Sequence, residues 1–156
     1  MKHSNSRKDA RIKNFPQDSV QTMIRNIEGL LSFNFKFLDQ TQGQRLSELS
    51  SEQVDRFVDK LKWYSTETAM HWKSTRIGGG SNTVLSEYDS FPSRSEFHHP
   101  RFVPADVKWA RFHMEGDMRL IGFLIDKKDG GNTSLNTDVF YVVFLDLYHK
   151  FYKSIR

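Results

Sequence analysis

The chain contains no cysteine among its 156 residues. This absence excludes disulfide bonds, zinc sites built on thiolates and cysteine nucleophiles. No apolar run approaches the ~20 residues that a membrane-spanning helix requires, and Met1–Lys13 has no apolar stretch behind its positive charges. We therefore expect a soluble, cytoplasmic protein with no membrane partner.

The composition is nevertheless that of a chain with a folded core. Hydrophobic residues make up 37% and aromatic residues 13% of the sequence, and phenylalanine leads the aromatics with 13 copies. The excess of 23 Lys+Arg over 19 Asp+Glu gives a net charge of +4 and a pI of about 9.3. This balance favours an anionic partner such as nucleic acid, although the same charge can serve solubility alone.

Residues 1–18 differ from the rest of the chain because they are basic and polar with little to bury. We predict a flexible basic tail at 1–18 and a single domain at 19–156. Apolar residues at three- and four-residue intervals over Ser19–Leu31 indicate a short helix that packs on a sheet. Alternating phenylalanines over Leu31–Leu38 indicate a strand with one buried face.

The middle of the chain contains one strong pattern and one weak one. A long amphipathic helix is predicted from an N-cap at Ser51 to Trp72, followed by a long surface loop at about 74–106. The triple glycine at Gly78 could cradle a phosphate, but no Gly-Lys-Ser/Thr follows it, so a connector is favoured. His98-His99 could begin a metal site, but it lacks a third ligand at a suitable spacing, and no metal is predicted.

The last third of the chain predicts an antiparallel sheet. Val107–Glu115 and Met118–Asp126 both alternate, and the two-residue Gly116-Asp117 connection between them indicates a hairpin. A flexible loop at Lys127–Thr137 leads to Val139–Leu145, which is apolar throughout and predicts a central strand. The expected fold is α+β, with an antiparallel sheet of about four strands packed on one or two helices.

The two-residue turn also predicts the register of the hairpin. It pairs Arg111 with Gly122 and His113 with Leu120, so the missing side chain of Gly122 leaves room beside Arg111. Arg119 would then lie on the opposite face from Arg111 and His113. A single site would require Arg119 to reach around the rim of the sheet.

Cations alternate with aromatic rings in the C-terminal segment Leu147–Lys153. Such a mixture suits phosphate contact combined with base stacking. The aromatic rings could equally seal the edge of the sheet while the cations are solvated.

The predicted order of strand, helix and three antiparallel strands resembles that of the RelE/YoeB-like superfamily of small bacterial endoribonuclease toxins over roughly Phe33–Tyr152. The most specific motif is Gly116–Ile121, which is similar to the family's glycine-aspartate-aromatic-arginine signature. The C-terminal part also resembles small uncharacterised bacterial proteins that end in Asp-x-x-His-x-x-Tyr, here Asp146, His149 and Tyr152.

The resemblance implies that Arg119 steadies the scissile phosphate and that a C-terminal cluster of His149, Lys150 and Tyr152 is catalytic. Metal-free RNA cleavage needs a base, an acid and a cation on the phosphate. Histidine can exchange protons near neutral pH, and arginine binds phosphate through two N–H groups. The predicted catalytic residues are His149, Arg119, His113 and Tyr152, and the predicted RNA-binding residues are Arg111, Lys150, Lys153 and Tyr148.

The resulting hypothesis is a toxin-like endoribonuclease that cleaves mRNA as part of a toxin–antitoxin or phage-defence system. It requires no cofactor and implies RNA as a partner, on or off the ribosome, and a protein antitoxin. The alternative is a non-catalytic RNA- or protein-binding module, such as an inhibitor encoded by a phage or mobile element.

Overall fold

The computed structural model of the protein describes residues 19–126 and 138–153. The predicted tail at 1–18 and the predicted loop at Lys127–Thr137 lie outside the described residues. Among the residues described, no helix is long and apolar enough to cross a membrane. The helices are α1 (Val20–Ile27), α2 (Ser51–Tyr64) and α3 (Ala69–Ser74), and the strands are β1 (Ser32–Asn34), β2 (Leu85–Tyr88), β3 (Lys108–Glu115), β4 (Met118–Leu124) and β5 (Val139–Asp146).

The five strands form one sheet in the order β1-β5-β4-β3-β2. The β2–β3, β3–β4 and β4–β5 pairs are antiparallel, whereas β1 runs parallel to β5. The α+β class is therefore confirmed, but the sheet is mixed and has five strands. The additional strand β2 lies within the region that was predicted to be a loop at about 74–106.

The β3–β4 hairpin is confirmed, and Gly116 adopts the left-handed conformation (φ 52°) that its tight turn requires. Its predicted register holds only for Glu115 opposite Met118. A bulge at Met114 then shifts the pairing by one residue, so that His113 lies opposite Arg119 and the pair predicted for Arg111 is wrong. Because paired residues share a face, Arg119 lies on the same face as Arg111 and His113.

A second irregularity places β4 close to β5. The register shifts between Ile121 and Gly122, and a Cβ atom added to Gly122 would lie 2.1 Å from the carbonyl oxygen of Tyr141. Gly122 lies opposite Ala110 and not Arg111. The glycine therefore permits close approach of two strands, and its predicted role of leaving room beside Arg111 is wrong.

The sheet buries both faces. On the first, which we call the helix face, β3, β4 and β5 pack against α2 and α3 through apolar side chains that include Phe112, Leu120, Val142, Phe57 and Trp72. The second, which we call the loop face, is covered by residues 89–107 and the C-terminal segment. Its core includes Trp109, Phe123, Phe144, Phe97 and Phe151.

The first predicted helix forms as α1, and the Ser19 hydroxyl caps it by accepting a hydrogen bond from the Thr22 N–H. Its apolar side chains do not pack on the sheet as predicted; those of Val20, Met23, Ile24 and Ile27 are exposed. The chain turns at Gly29 (φ 78°), and Leu31 enters the core in place of the helix.

The strand predicted over Leu31–Leu38 is limited to β1, and its phenylalanines do not share one face. Phe33 packs on Phe112 and Phe140 of the helix face, Phe35 is exposed, and Phe37 packs on Phe123 of the loop face. The chain crosses the edge of the sheet here, which a sequence period of two does not reveal.

The long helix predicted from Ser51 to Trp72 is two helices, since α2 ends at Tyr64 and α3 begins after the Thr68 cap. The N-cap of α2 is Ser50, whose side chain forms a capping box with Gln53. The break between the helices allows Trp72 to donate a hydrogen bond to the Tyr64 carbonyl at 2.8 Å.

Candidate anion-binding and catalytic site

Four basic side chains meet at one end of the loop face. Arg111 and His113 come from β3, Arg119 comes from β4, and His149 comes from the turn after β5. His113 lies directly opposite Arg119, and the electrostatic influence of Arg111 and Arg119 reaches both histidines. We call these four residues the cationic cluster.

Asp146 shapes the turn that carries His149. Its carboxylate is fully buried and accepts hydrogen bonds from the backbone N–H groups of Tyr148 (3.2 Å), Lys150 (3.0 Å) and Phe151 (2.8 Å). Within this turn His149 adopts a left-handed conformation (φ 54°), which is unfavourable for a residue with a side chain. The Asp-x-x-His spacing therefore has a structural cause: the aspartate holds the histidine in place.

Backbone carbonyls fix the opposite side of the cluster. Nη1 of Arg119 donates hydrogen bonds to the carbonyl oxygens of Gly116 (2.6 Å) and Met118 (2.8 Å). The Tyr64 hydroxyl, from α2 on the helix face, donates to the carbonyl oxygen of His113. The hairpin that supplies three of the four basic residues is thus anchored by hydrogen bonds to its backbone.

Several polar atoms in the cluster are buried without a partner. Among the residues described, no hydrogen bond is made by Arg111 Nε, His113 Nδ1, Arg119 Nε or His149 Nε2. A buried polar group left unsatisfied costs about 1–3 kcal/mol. Such atoms concentrated among positive charges are suited to an anion, such as phosphate, that accepts several hydrogen bonds at once.

Both histidines resist protonation. Burial, followed by Arg119, Lys60 and Arg111, lowers the pKa of His113 to about 4. Burial and the two arginines also lower the pKa of His149, although Asp146 opposes them. At neutral pH both imidazoles are therefore neutral, and each could accept a proton from a substrate.

The same environment also shifts the pKa values of Arg119 and Tyr88. Burial and Arg111 lower the pKa of Arg119, but an arginine stays charged at neutral pH. Burial raises the pKa of Tyr88, while nearby Arg111 lowers it. Tyr88 is thus a neutral hydroxyl beside two permanent cations.

The other predicted site residues lie around the cationic cluster. Tyr152 stacks on Tyr88 with ring centroids 5.1 Å apart. Lys150 and Lys153 both pair with Glu96, at 3.1 Å in the case of Lys150, and these hydrogen bonds lower the pKa of the glutamate. Exposed Tyr148 lies on the outer surface, with the Lys150 ammonium 5.7 Å from its ring centroid.

The structure therefore unites Arg111, His113, Arg119 and His149, with Tyr152 reaching them through Tyr88. The predicted RNA-binding residues Lys150, Lys153 and Tyr148 lie outside the cluster. Sequence reasoning missed Tyr88 because β2 has only four residues. It also treated Asp146 as the end of a strand, although its spacing from His149 could have revealed its role.

The two histidines considered as the start of a metal site lie elsewhere. The His98 N–H donates to Gln42 at 2.7 Å, and the His99 ring packs against Phe91 and Trp109. Within 19–126 and 138–153, no three His, Asp or Glu side chains are grouped as ligands for a metal ion.

Comparisons with known proteins returned no relative. No family model matches the chain, and neither a curated protein nor a solved structure is significantly similar to it.

Proposed function

We propose that the protein is a toxin-like endoribonuclease that cleaves RNA, with mRNA as the expected substrate, by metal-free acid–base chemistry in the cationic cluster. The observation that carries this proposal is the convergence of two arginines and two neutral histidines whose buried polar atoms lack partners. RNA supplies both the phosphate that these groups can bind and the 2′-hydroxyl that a neutral histidine can deprotonate.

The reaction would begin with a phosphate of the RNA bound by Arg111 and Arg119. One histidine removes the proton from the adjacent 2′-hydroxyl, and the 2′-oxygen attacks phosphorus. The phosphorus–O5′ bond then breaks as the other histidine gives a proton to the O5′ leaving atom. The products are a 2′,3′-cyclic phosphate end and a 5′-hydroxyl end.

Protonation of the second histidine depends on the substrate. In the protein alone, burial and, after it, nearby cations that include both arginines lower the pKa values of His113 and His149. A bound phosphate neutralises part of this positive charge and so raises both pKa values. Tyr152 positions the strand through its stack on Tyr88, while Lys150, Lys153 and Tyr148 extend the RNA path.

The proposal includes the biological setting that the family resemblance implies. A RelE/YoeB-like toxin of this kind acts in the cytoplasm, in a toxin–antitoxin or phage-defence system. Its antitoxin would cover the basic face that carries the cluster. Its RNA substrate is bound on or off the ribosome.

Induced expression in a bacterial host tests the proposal. We expect growth arrest and new RNA 5′ ends bearing a hydroxyl group, both abolished by His149→Ala or Arg119→Ala. Arg101→Ala and His98→Ala are matched controls, because both side chains are exposed and outside the cluster. Circular dichroism should show that all four variants are folded. Wild-type expression without arrest or new RNA ends would exclude the toxin function.

The low pKa of both histidines favours a second candidate, because neither is a proton donor at neutral pH before a substrate binds. In this candidate the cluster is a non-catalytic RNA- or protein-binding site, such as that of an inhibitor encoded by a phage or mobile element. Purified protein that retains RNA but leaves it intact over hours would favour RNA binding without cleavage.

A further inference from the structure

A groove adjoins the cationic cluster on the side of α2. It has a volume of about 500 Å³ and lies between α2 and the β3–β4 turn. His113 lines it and also belongs to the cluster, so the groove and the cluster share one residue. A volume of this size is typical of a pocket for a small ligand group.

Trp63 gives the groove an exposed aromatic surface. Its side chain is 47% exposed, whereas Trp72 and Trp109 are each 1% exposed. Contacts with Tyr64 and Trp72, at centroid distances of 5.3 Å and 4.9 Å, hold the ring in place. The Lys60 ammonium lies over the same ring, 4.7 Å from its centroid, so a base that stacks on this face replaces a flexible lysine side chain. A fixed indole that is half exposed and close to a cation is typical of a nucleobase stacking site.

The charges in the groove are not equivalent. Arg56 is paired with Glu52 at 2.7 Å and with Glu115 at 2.9 Å, so it is already neutralised. Asp59 lies one helical turn before Trp63 on α2, and among the residues described no basic side chain forms an ion pair with it. Its carboxylate can therefore accept a hydrogen bond from a ligand.

We propose that this groove binds one unpaired base of an RNA strand whose adjacent phosphate occupies the cationic cluster; the proposal rests on RNA being the ligand of the cluster. The base stacks on Trp63, and Asp59 accepts a hydrogen bond from an exocyclic amino group. Adenine, cytosine and guanine carry such a group, whereas uracil does not. The site therefore prefers those three bases over uracil.

Tryptophan fluorescence provides the test, because Trp63 is much more exposed than the other two tryptophans. We would titrate the protein with short single-stranded RNAs that carry 2′-O-methyl groups, which prevent attack by the 2′-oxygen. Oligo-A and oligo-C should quench the fluorescence. An abasic oligomer should bind through its phosphates without quenching. Oligo-U should bind more weakly than oligo-A and oligo-C.

Substitutions separate the base site from the phosphate site. Trp63→Leu should weaken the binding of oligo-A by about 5- to 100-fold, as expected for the loss of one stacked base, and should remove the quenching. Phe102→Ala is the matched control, because Phe102 is also an exposed aromatic residue but does not line the groove. Asp59→Asn should reduce the preference over oligo-U, while Arg119→Ala should weaken all oligomers, including the abasic one.

The outcomes distinguish the two proposals. Equal binding of the abasic oligomer and oligo-A, without quenching in the wild-type protein, would overturn the base site while leaving RNA binding intact. Failure of every oligomer to bind would overturn RNA as the ligand, and the base site with it. The wild-type quenching measurement does not depend on the folding of any variant.

Discussion

The helix face and the cationic end of the loop face belong to the same strands but differ in what they bury: apolar side chains on the first, and polar atoms without partners on the second. On the helix face Ala110, Phe112 and Leu120 are buried in an apolar core that α2 and α3 complete. At the cationic end the alternate residues Arg111, His113 and Arg119 have buried polar atoms without partners. Because strand residues alternate between faces, the stretch of β3 and β4 that completes the apolar core on one side also carries the basic residues of the cluster on the other.

This contrast leads us to expect that stability and binding can be changed separately. In natural proteins, buried polar groups almost always have a hydrogen-bond partner, and the exceptions lie mainly at functional sites. Substitutions on the helix face should therefore lower the free energy of unfolding. Substitutions in the cationic cluster should affect RNA binding with little loss of stability.

Phe112→Ala should have the largest effect on stability. Phe112 is fully buried, and its ring lies 4.7 Å from that of Tyr64 and 5.0 Å from that of Phe140. Truncation of such a side chain lowers the free energy of unfolding by about 3–5 kcal/mol. Urea denaturation measures the loss, and Phe35→Ala, at an exposed phenylalanine, is the control. Equal losses in the two variants would contradict the helix-face core.

Asp146→Ala should combine a loss of stability with a loss of function. It removes the acceptor of three buried or half-buried backbone N–H groups, which should lower the free energy of unfolding by about 2–4 kcal/mol. It also releases His149 from its left-handed conformation, so RNA cleavage should be lost. Asp106→Ala is the control at an exposed aspartate. Full cleavage activity in folded Asp146→Ala would exclude a positioning role for Asp146.

Arg119→Met should weaken phosphate and RNA binding strongly while it lowers the free energy of unfolding much less than Phe112→Ala does. The variant loses the two hydrogen bonds of Arg119 to backbone carbonyls, but it also removes a partly buried charge, so we expect a loss of at most about 2 kcal/mol. Phosphate or RNA binding should weaken at least tenfold, because a charged contact is lost. Parallel urea and binding titrations provide the measurement. A loss of stability as large as that of Phe112→Ala would break the proposed distinction between the two faces.

The smallest effect that we predict is a pH dependence of stability. The pKa of His113 falls from 6.5 to about 4 on folding, so between these values the unfolded chain binds a proton that the folded protein does not. The free energy of unfolding should therefore decrease as the pH falls through this window. His149, whose pKa is also lowered, contributes in the same direction.

Urea midpoints at pH 7.5 and pH 5 measure this dependence, and His113→Gln should flatten it. An unchanged slope in His113→Gln would show that other groups control the dependence.

The sequence predicts those features of the fold that are set by local patterns. The Gly116-Asp117 turn and the uninterrupted apolar run of β5 each lie within a few residues of the element that they define. The basic residues of the cluster were predictable for the same reason, since their chemistry is visible in the sequence. Residue type alone does not reveal how they are arranged.

Other features depend on contacts between distant parts of the chain. Phe33 and Phe37 pack on opposite faces because the chain crosses the edge of the sheet. The exposed face of α1 has the same amphipathic pattern as a buried one. Tyr88 joins the site only because β2 pairs with β3. None of these arrangements has a local sequence signal.

The bulge at Met114 decides on which face of the sheet Arg119 lies. It is one extra residue between the pair Glu115–Met118 and the pair His113–Arg119. If the hairpin were regular from its two-residue turn, Met114 would lie opposite Arg119, and the arginine would share the helix face with Met114. A change of strand pairing alone could therefore dismantle the site while every one of its functional side chains is retained.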